Sequence, residues 1–105
     1  MSDELIVLVT TPNAEESARI ADALVSERLA ACVNIVPAIE SIYRWEGKVT
    51  RDHESLMIIK TTVQRYDELE RRVKELHSYS TPEVIALRIE RASEQYLKWM
   101  AESIG

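Results

Sequence analysis

The side chains best suited to chemistry in this sequence are its single cysteine, Cys32, and its two histidines, His53 and His77. Sulfur and imidazole nitrogen are common protein ligands for copper and zinc. Cys32 has no Lys, Arg or His next to it in sequence, so a small buried hydrophobic residue is the alternative interpretation to a metal-binding or redox thiol. His77 lies where a helix is predicted to end. The alternative to a ligand role is a C-terminal cap, because a protonated imidazole at that end interacts favourably with the helix dipole.

The spacing of these residues argues against a metal site enclosed by one chain. The sequence has one cysteine, two histidines and three methionines, and none of them forms a C-x-x-C or H-x-x-x-H pair. His53 lies between Asp52 and Glu54 in a polar segment and is expected to be solvated. A site formed where several copies of the chain meet would escape this limit, because symmetry multiplies the ligands.

Other function classes find little support in the residues. The chain has only two glycines, one of them terminal, so it lacks a glycine-rich phosphate loop. No nucleophile and base are suggested by spacing, and we expect no enzyme. The net charge of −5 and the lack of aromatic residues in the first and third predicted strands argue against nucleic acid as a partner.

Length and composition predict one domain, residues 1–105, that can bury a core of its own. Hydrophobic residues make up 46% of the chain. A single cysteine fits a reducing compartment, and no apolar run approaches the roughly 20 residues of a membrane span. The acidic N-terminal segment M-S-D-E lacks the basic region of a signal peptide. We therefore expect a cytoplasmic protein with no membrane partner.

The elements that must position these residues follow from hydrophobic periodicity and turn residues. They are a strand at Leu5–Val9, a helix from about Ala14 to Arg28, hairpin strands at about Ala31–Glu46 and Lys48–Thr62, a helix at about Val63–His77, a strand at Glu83–Ile89 and a last helix after Ser93. Either Asn13 with Glu16, or Thr11 with Pro12, begins the first helix. The order β-α-β-β-α-β predicts an α+β, ferredoxin-like fold with a C-terminal helix.

The central hairpin is long for a chain of this size. Its first strand would extend roughly 50 Å, whereas a compact domain of this length is roughly 30–35 Å across. The hairpin must therefore project beyond the domain or bend at Pro37. Ile39, Tyr43 and Trp45 lie in the projecting part, and we expect them to anchor contacts with another copy of the chain. The alternative is that they fold back over the C-terminal helix.

Several segments together resemble the CutA divalent-cation tolerance proteins. They are L-A-A-C-V-N at 29–34, S-I-Y-R-W-E-G-K at 41–48, K-T-T at 60–62, H-S-Y at 77–79, P-E at 82–83 and Y-L-K-W at 96–99. The resemblance spans nearly the whole chain. It departs from the family pattern at Ser78 and at Arg88, where the family usually has proline.

This resemblance implies a homotrimer, similar in architecture to the PII signalling proteins, in which edge strands of the long hairpins pair between subunits. It implies a role in tolerance to divalent metals, copper foremost, with metal bound at Cys32 and His77 and, more weakly supported, at Glu83. The alternative that it implies is a PII-like regulator, which binds a small ligand or a protein partner in the cleft between subunits.

Overall fold

The computed structural model describes residues 3–105, so Met1 and Ser2 of the predicted domain and of its acidic N-terminal segment lie outside the described residues. The elements are β1 (Glu4–Thr11), α1 (Ala14–Ser26), β2 (Cys32–Trp45), β3 (Lys48–Thr62), α2 (Val63–Leu76), β4 (Val84–Arg88) and α3 (Glu94–Ser103). Their order confirms the predicted ferredoxin-like arrangement. Within the described residues, no helix is both long and apolar enough to cross a membrane.

The four strands form one antiparallel sheet in the order β2-β3-β1-β4. Side chains alternate between its two faces. On one face, Val7 and Val9 of β1 are fully buried in a core that α1 and α2 cover. On the other face, Ile6 and Leu8 are only half-buried. We call the face opposite α1 and α2 the outer sheet face.

Two of the helices begin at residues that accept a backbone hydrogen bond. The Asn13 side chain accepts from the Glu16 N–H at 2.8 Å, and the Ser93 hydroxyl accepts from the Tyr96 N–H at 3.1 Å. These bonds satisfy donors that the first turn of a helix leaves without partners. Of the two predicted starts of α1, Asn13 is therefore the one observed, and Ser93 is confirmed.

The hairpin of β2 and β3 closes with a two-residue turn. Trp45 pairs with Lys48, and the residues between them, Glu46 and Gly47, have φ angles of 50° and 78°. Positive φ at both central positions is what a type I′ turn requires, and this turn matches the twist of the strands that it joins.

A bulge interrupts the same hairpin at the predicted position. Val36 pairs with Leu56 and Ile39 with Glu54, so Pro37 and the following alanine together face only Ser55. Such a two-against-one irregularity bends the strand and accommodates a residue that has no N–H to donate.

The distal part of the hairpin extends beyond the rest of the sheet. β1 ends at the pair of Thr11 with Ser55, so residues 48–54 of β3 pair only with β2. The molecule measures 44 × 25 × 22 Å along its principal axes, which confirms the predicted overhang. Trp45 is 58% exposed and Tyr43 38% exposed in the single chain.

Candidate functional site

His77 ends α2 as predicted, and its ring is fully enclosed by protein. The Nδ1 atom accepts from the backbone N–H of Tyr79 at 3.0 Å, which leaves Nε2–H to donate to the carbonyl of Thr10 at 2.7 Å. The carboxylate of Glu16 lies 3.4 Å from Nδ1. Both ring nitrogens therefore have protein partners, and binding a metal would require one of these bonds to break.

Cys32 begins the edge strand β2 and is half-buried. It lies opposite Lys60, whose ammonium is 3.9 Å from the sulfur and donates a hydrogen bond to the Asn34 side chain. Burial, followed by the charge and hydrogen bonding of the Cys32 sulfur, raises the pKa of the Tyr96 phenol. The thiol thus has polar neighbours, and the adjacent ammonium opposes the approach of a metal cation.

The single chain does not bring Cys32 and His77 together. The Cys32–Lys60 pair lies level with Ile6 of β1, whereas His77 contacts Thr10. Four residues along a strand amount to about 13 Å, and β3 separates β2 from β1. Within residues 3–105, no group of three or more His, Cys, Asp or Glu side chains is arranged to hold a metal ion.

The third predicted ligand, Glu83, lies elsewhere, in a groove with a volume of about 690 Å³. The groove separates the projecting part of the hairpin from the loop between α2 and β4. We call it the hairpin groove and define it by the charged and aromatic residues that line it: Tyr43, Trp45, Asp52, Glu54, Tyr79 and Glu83. It adjoins His77, because the rings of His77 and Tyr79 have centroids 4.8 Å apart.

Two phenol–carboxylate pairs organise the hairpin groove. The Tyr79 hydroxyl donates to Glu54 at 2.9 Å, and the Tyr43 hydroxyl donates to Asp52. Burial, followed by the hydrogen bond to Glu54, raises the pKa of Tyr79. The hydrogen bond to Asp52 is the main cause that raises the pKa of Tyr43. Both phenols therefore remain protonated donors to their carboxylate partners.

Sequence reasoning did not find Lys60 beside Cys32 or Glu16 beside His77. The pairing of Lys60 with Cys32 depends on the bulge, because one extra residue in β2 shifts every pair below it by one position. Counting back from the turn and adding one residue at Pro37 would have found it. The contact between Glu16 and His77 joins two helices that are far apart in sequence, and no local pattern reports it.

These observations define an α+β protein whose ferredoxin-like sheet carries a projecting hairpin with an acidic, aromatic groove beside it. The chain belongs to the CutA1 divalent ion tolerance protein family, whose sequence profile matches residues 5–103.

The chain is similar to relatives from several kingdoms. It is 51% identical over 102 residues to the divalent-cation tolerance protein CutA of Thermus thermophilus, and the match covers 97% of this chain and 99% of that protein. It is 52% identical over 99 residues to the chloroplastic protein CutA 1 of Oryza sativa. This match covers 94% of this chain but only 56% of the longer rice protein. The chain thus spans about half the length of that plant relative.

Solved structures of relatives have the same fold. The Thermus thermophilus Cut A1 structure superposes with a TM-score of 0.94 at 51% identity and covers 97% of this chain and 99% of its own. The Oryza sativa CutA1 structure superposes with a TM-score of 0.96 at 50% identity, and the match covers 99% of this chain and 95% of the rice chain. A relative from Archaeoglobus fulgidus, 40% identical with a TM-score of 0.94 over 97% of this chain and 99% of its own, is described as periplasmic. Relatives are thus described in more than one compartment.

Proposed function

We propose that this protein contributes to tolerance of divalent cations in the cytoplasm, without catalysis, as an assembly of three copies of the chain. The observation that carries the proposal is the match to a Thermus thermophilus protein named for divalent-cation tolerance, which extends over 99% of that protein. The matching fold supports it, because the two structures superpose over 97% of this chain.

Growth in the presence of metal tests the role directly. A strain without the gene is expected to grow more slowly than its parent in raised Cu²⁺, and a plasmid copy of the gene should restore growth. Raised NaCl serves as the control for general stress and should affect both strains equally. Equal growth of the two strains at every Cu²⁺ concentration would contradict the role.

The assembly of three copies is supported by apolar surface that the single chain leaves exposed. On the outer sheet face, Ile85 is 48% exposed and Leu87 51% exposed. Exposed apolar patches of this kind are typical of contact surfaces between proteins. Ile39, Tyr43 and Trp45 of the projecting hairpin remain the proposed anchors of the same assembly.

Copper is the metal that we propose the assembly binds, with Cys32, His77 and Glu83 as ligands contributed by more than one copy. A thiolate suits Cu(I), and imidazole and carboxylate suit Cu(II). The structure defines what binding would require of these residues. The Lys60 ammonium must move away from the sulfur of Cys32, and His77 must release either the Tyr79 N–H or the Thr10 carbonyl.

Calorimetric titration with Cu²⁺ and Zn²⁺ tests these ligands. Cys32→Ser and Glu83→Gln are expected to weaken Cu²⁺ binding about tenfold or more, since each removes a ligand, whereas Asp22→Asn on the exposed side of α1 should not.

Lys60→Gln should strengthen binding at Cys32, because it removes a neighbouring positive charge. For His77 the substitution of choice is glutamine, which keeps hydrogen-bonding groups in a buried position. Unchanged affinity in Cys32→Ser, Glu83→Gln and His77→Gln would reject all three ligands.

A second candidate function is that of a PII-like regulator which binds a small ligand or a protein partner. The observation that favours it is the hairpin groove, because its volume of about 690 Å³ lies within the usual range of small-molecule sites. A thermal-shift screen of metabolites tests this function. A ligand at about 100 times its Kd stabilises the folded state by about 2.7 kcal/mol, which is readily measured. The absence of a shift with any metabolite, together with tight metal binding, would reject the regulator.

A further inference from the structure

Three buried hydroxyl groups connect helix α1 to the root of the projecting hairpin. Thr11 at the end of β1, Ser17 near the start of α1 and Ser55 in β3 are each fully buried. The Ser17 hydroxyl lies 2.7 Å from that of Thr11 and 2.9 Å from that of Ser55. The outer two hydroxyls reach backbone carbonyls: that of Asn13 lies 2.7 Å from Thr11, and that of Val36 lies 3.3 Å from Ser55. We call these three side chains the hydroxyl bridge.

The hydroxyl bridge meets β3 at the point where the hairpin leaves the rest of the sheet. Ser55 pairs with Thr11, the last residue of β1, and beyond this pair β3 has only β2 as a neighbour. On its β2 side, Ser55 faces the bulge at Pro37. A bulge interrupts the ladder of hydrogen bonds between two strands and bends one of them. The ladder alone therefore does not fix the angle at which the hairpin leaves the sheet.

We infer that the hydroxyl bridge locks a hinge at the root of the hairpin and sets the angle between the hairpin and the domain. Ser17 is then a positioning residue, because it binds no ligand and ties β3 to α1. The inference goes beyond the proposed function, since it concerns the geometry of the chain itself and needs no metal. The bridge is buried inside a single chain, so an assembly that covers the hairpin leaves it in place.

The polarity of these positions distinguishes the lock from ordinary core packing. Ser55 lies on the core-facing side of β3, on which Met57 and Ile59 are apolar and fully buried. A buried hydroxyl costs free energy unless it is hydrogen-bonded, whereas an apolar side chain there has no such requirement. Hydrogen bonds also depend on distance and angle. The bridge therefore favours one orientation of the hairpin, which apolar contacts would fix less closely.

The hydroxyl bridge is one proton short. Its three hydroxyls have three protons, whereas four oxygen–oxygen distances lie within hydrogen-bonding range and the two carbonyls can only accept. The distance of 3.3 Å from Ser55 to Val36 exceeds the usual length of an O–H···O bond. Removal of any one hydroxyl leaves two protons for two distances, so no donor loses its partner. Breaking the bridge should therefore affect global stability little, and the lock can open while the domain stays folded.

A second hydrogen bond holds the neighbouring residue of β3 on the opposite face. The Tyr79 hydroxyl donates to Glu54 at 2.9 Å. Because side chains alternate along a strand, Glu54 lies on the outer sheet face and Ser55 on the core face. The two restraints come from different elements, the loop before β4 and helix α1. Substitution can therefore separate their effects on the hairpin.

Hydrogen exchange of backbone amides in the full chain tests the lock. In Ser17→Ala, the amides of residues 39–54 are expected to exchange about three- to tenfold faster than in wild type, because one buried tie is lost. The amides of β1 should exchange as in wild type, and circular dichroism verifies the fold. The matched control is Thr61→Val, which removes a fully buried hydroxyl that donates to the Leu29 carbonyl at 2.6 Å. It should leave exchange in the hairpin unchanged.

A second variant shows whether the hydroxyls act together. Ser55→Ala should accelerate exchange in the hairpin as much as Ser17→Ala does. The double variant should exchange no faster than either single variant, because both substitutions break the same tie. Ser17→Ala combined with Tyr79→Phe should exchange faster than either alone, because these two substitutions break different ties.

Three outcomes would overturn the lock. The first is exchange in the hairpin that stays at the wild-type rate in Ser17→Ala and Ser55→Ala, or that rises equally in Thr61→Val. The second is faster exchange spread evenly over β1 and the hairpin, which would report lower global stability instead of a released hinge. The third is faster exchange in Tyr79→Phe alone, which would show that the loop before β4 holds the hairpin and the hydroxyl bridge does not.

Discussion

Tyr79 connects three parts of the molecule. Its N–H donates to the ring of His77 at the end of α2, and its hydroxyl donates to Glu54 on the hairpin. It therefore ties the loop before β4 to the projecting strands and also fixes the tautomer of His77. A single residue thus couples a proposed metal ligand to the hairpin groove.

We predict that Glu54→Gln lowers the pKa of Tyr79 part of the way towards its ordinary value. The change removes the charge of the hydrogen-bond acceptor, while burial, the largest cause of the raised pKa, remains. A pH titration of the Tyr79 ring resonance by NMR measures this. Tyr96 serves as the internal control, because burial and Cys32, rather than Glu54, raise its pKa. A Tyr79 pKa that is the same in the variant and in wild type would contradict the assigned contact.

The sign of the linkage follows from the direction of this pKa change. A folded-state pKa above the unfolded one contributes stability that is complete below the unfolded pKa, near 10 for tyrosine. This stability is lost as the pH rises through the folded pKa. The excess stability of wild type over Glu54→Gln should therefore shrink in alkaline solution and remain unchanged between neutral pH and about pH 9.

At the residue scale, the sequence identified side chains by type but not by surroundings. Cys32 and His77 were singled out because sulfur and imidazole bind metals, and the structure shows where each lies. That Lys60 neighbours the thiol follows only from a count of strand register through the bulge at Pro37, and that both nitrogens of His77 have partners follows from no sequence pattern. Those contacts depend on strand register and on helix packing, which short sequence patterns do not encode.

At the scale of elements, the turn type of the hairpin suits the twist of its strands, but one of the two turn residues, Glu46, is poorly suited to the backbone conformation that this turn requires. Glu46 has a φ of 50°, a left-handed conformation that costs most residues roughly 1–2 kcal/mol and that asparagine tolerates better. We predict that Glu46→Asn raises the free energy of unfolding by about 0.5–1 kcal/mol. Urea unfolding monitored by circular dichroism measures the change.

Gly47→Ala is the matched control for this prediction. Its φ is 78°, and an added Cβ would meet nothing within 4 Å, so backbone strain alone should lower the stability, by about 1 kcal/mol. Two substitutions at adjacent positions of one turn should thus act in opposite directions. A loss of stability in Glu46→Asn, or no change in Gly47→Ala, would contradict the type I′ geometry.

The elements themselves were largely predictable because local signals agreed. Apolar periodicity, the helix-start residues around Asn13 and at Ser93, and the glycine-marked turn at Gly47 all indicated the observed order. Element ends differed by a few residues, as in the strand predicted for Glu83–Ile89, which is observed as Val84–Arg88. Strand ends depend on pairing partners, and β4 pairs with β1 only over five residues.

At the scale of the whole molecule, the outer sheet face is the surface that the single chain leaves exposed and that we expect an assembly to cover. Ile85 pairs with Leu8, and Leu87 pairs with Ile6, so apolar side chains lie side by side across neighbouring strands. Covering this face in an oligomer would bury apolar area that the single chain leaves exposed, at about 25 cal/mol per Å². The continuous apolar run of β1, which places Ile6 and Leu8 on the outer sheet face, fits this arrangement.

We predict that wild type has three times the mass of the 12.0 kDa chain in solution, and that Leu87→Lys lowers this mass. A lysine ammonium in an apolar contact would lose its hydration without gaining a partner. The variant should also unfold at a temperature that depends on protein concentration, because assembly and folding are then linked by mass action. Size-exclusion chromatography with light scattering measures the mass.

Val25→Lys, at an exposed apolar position on α1, is the matched control and should keep the wild-type mass. An unchanged mass in Leu87→Lys would show that the outer sheet face is not the contact surface, and the hairpin anchors Tyr43 and Trp45 would then have to hold the assembly together.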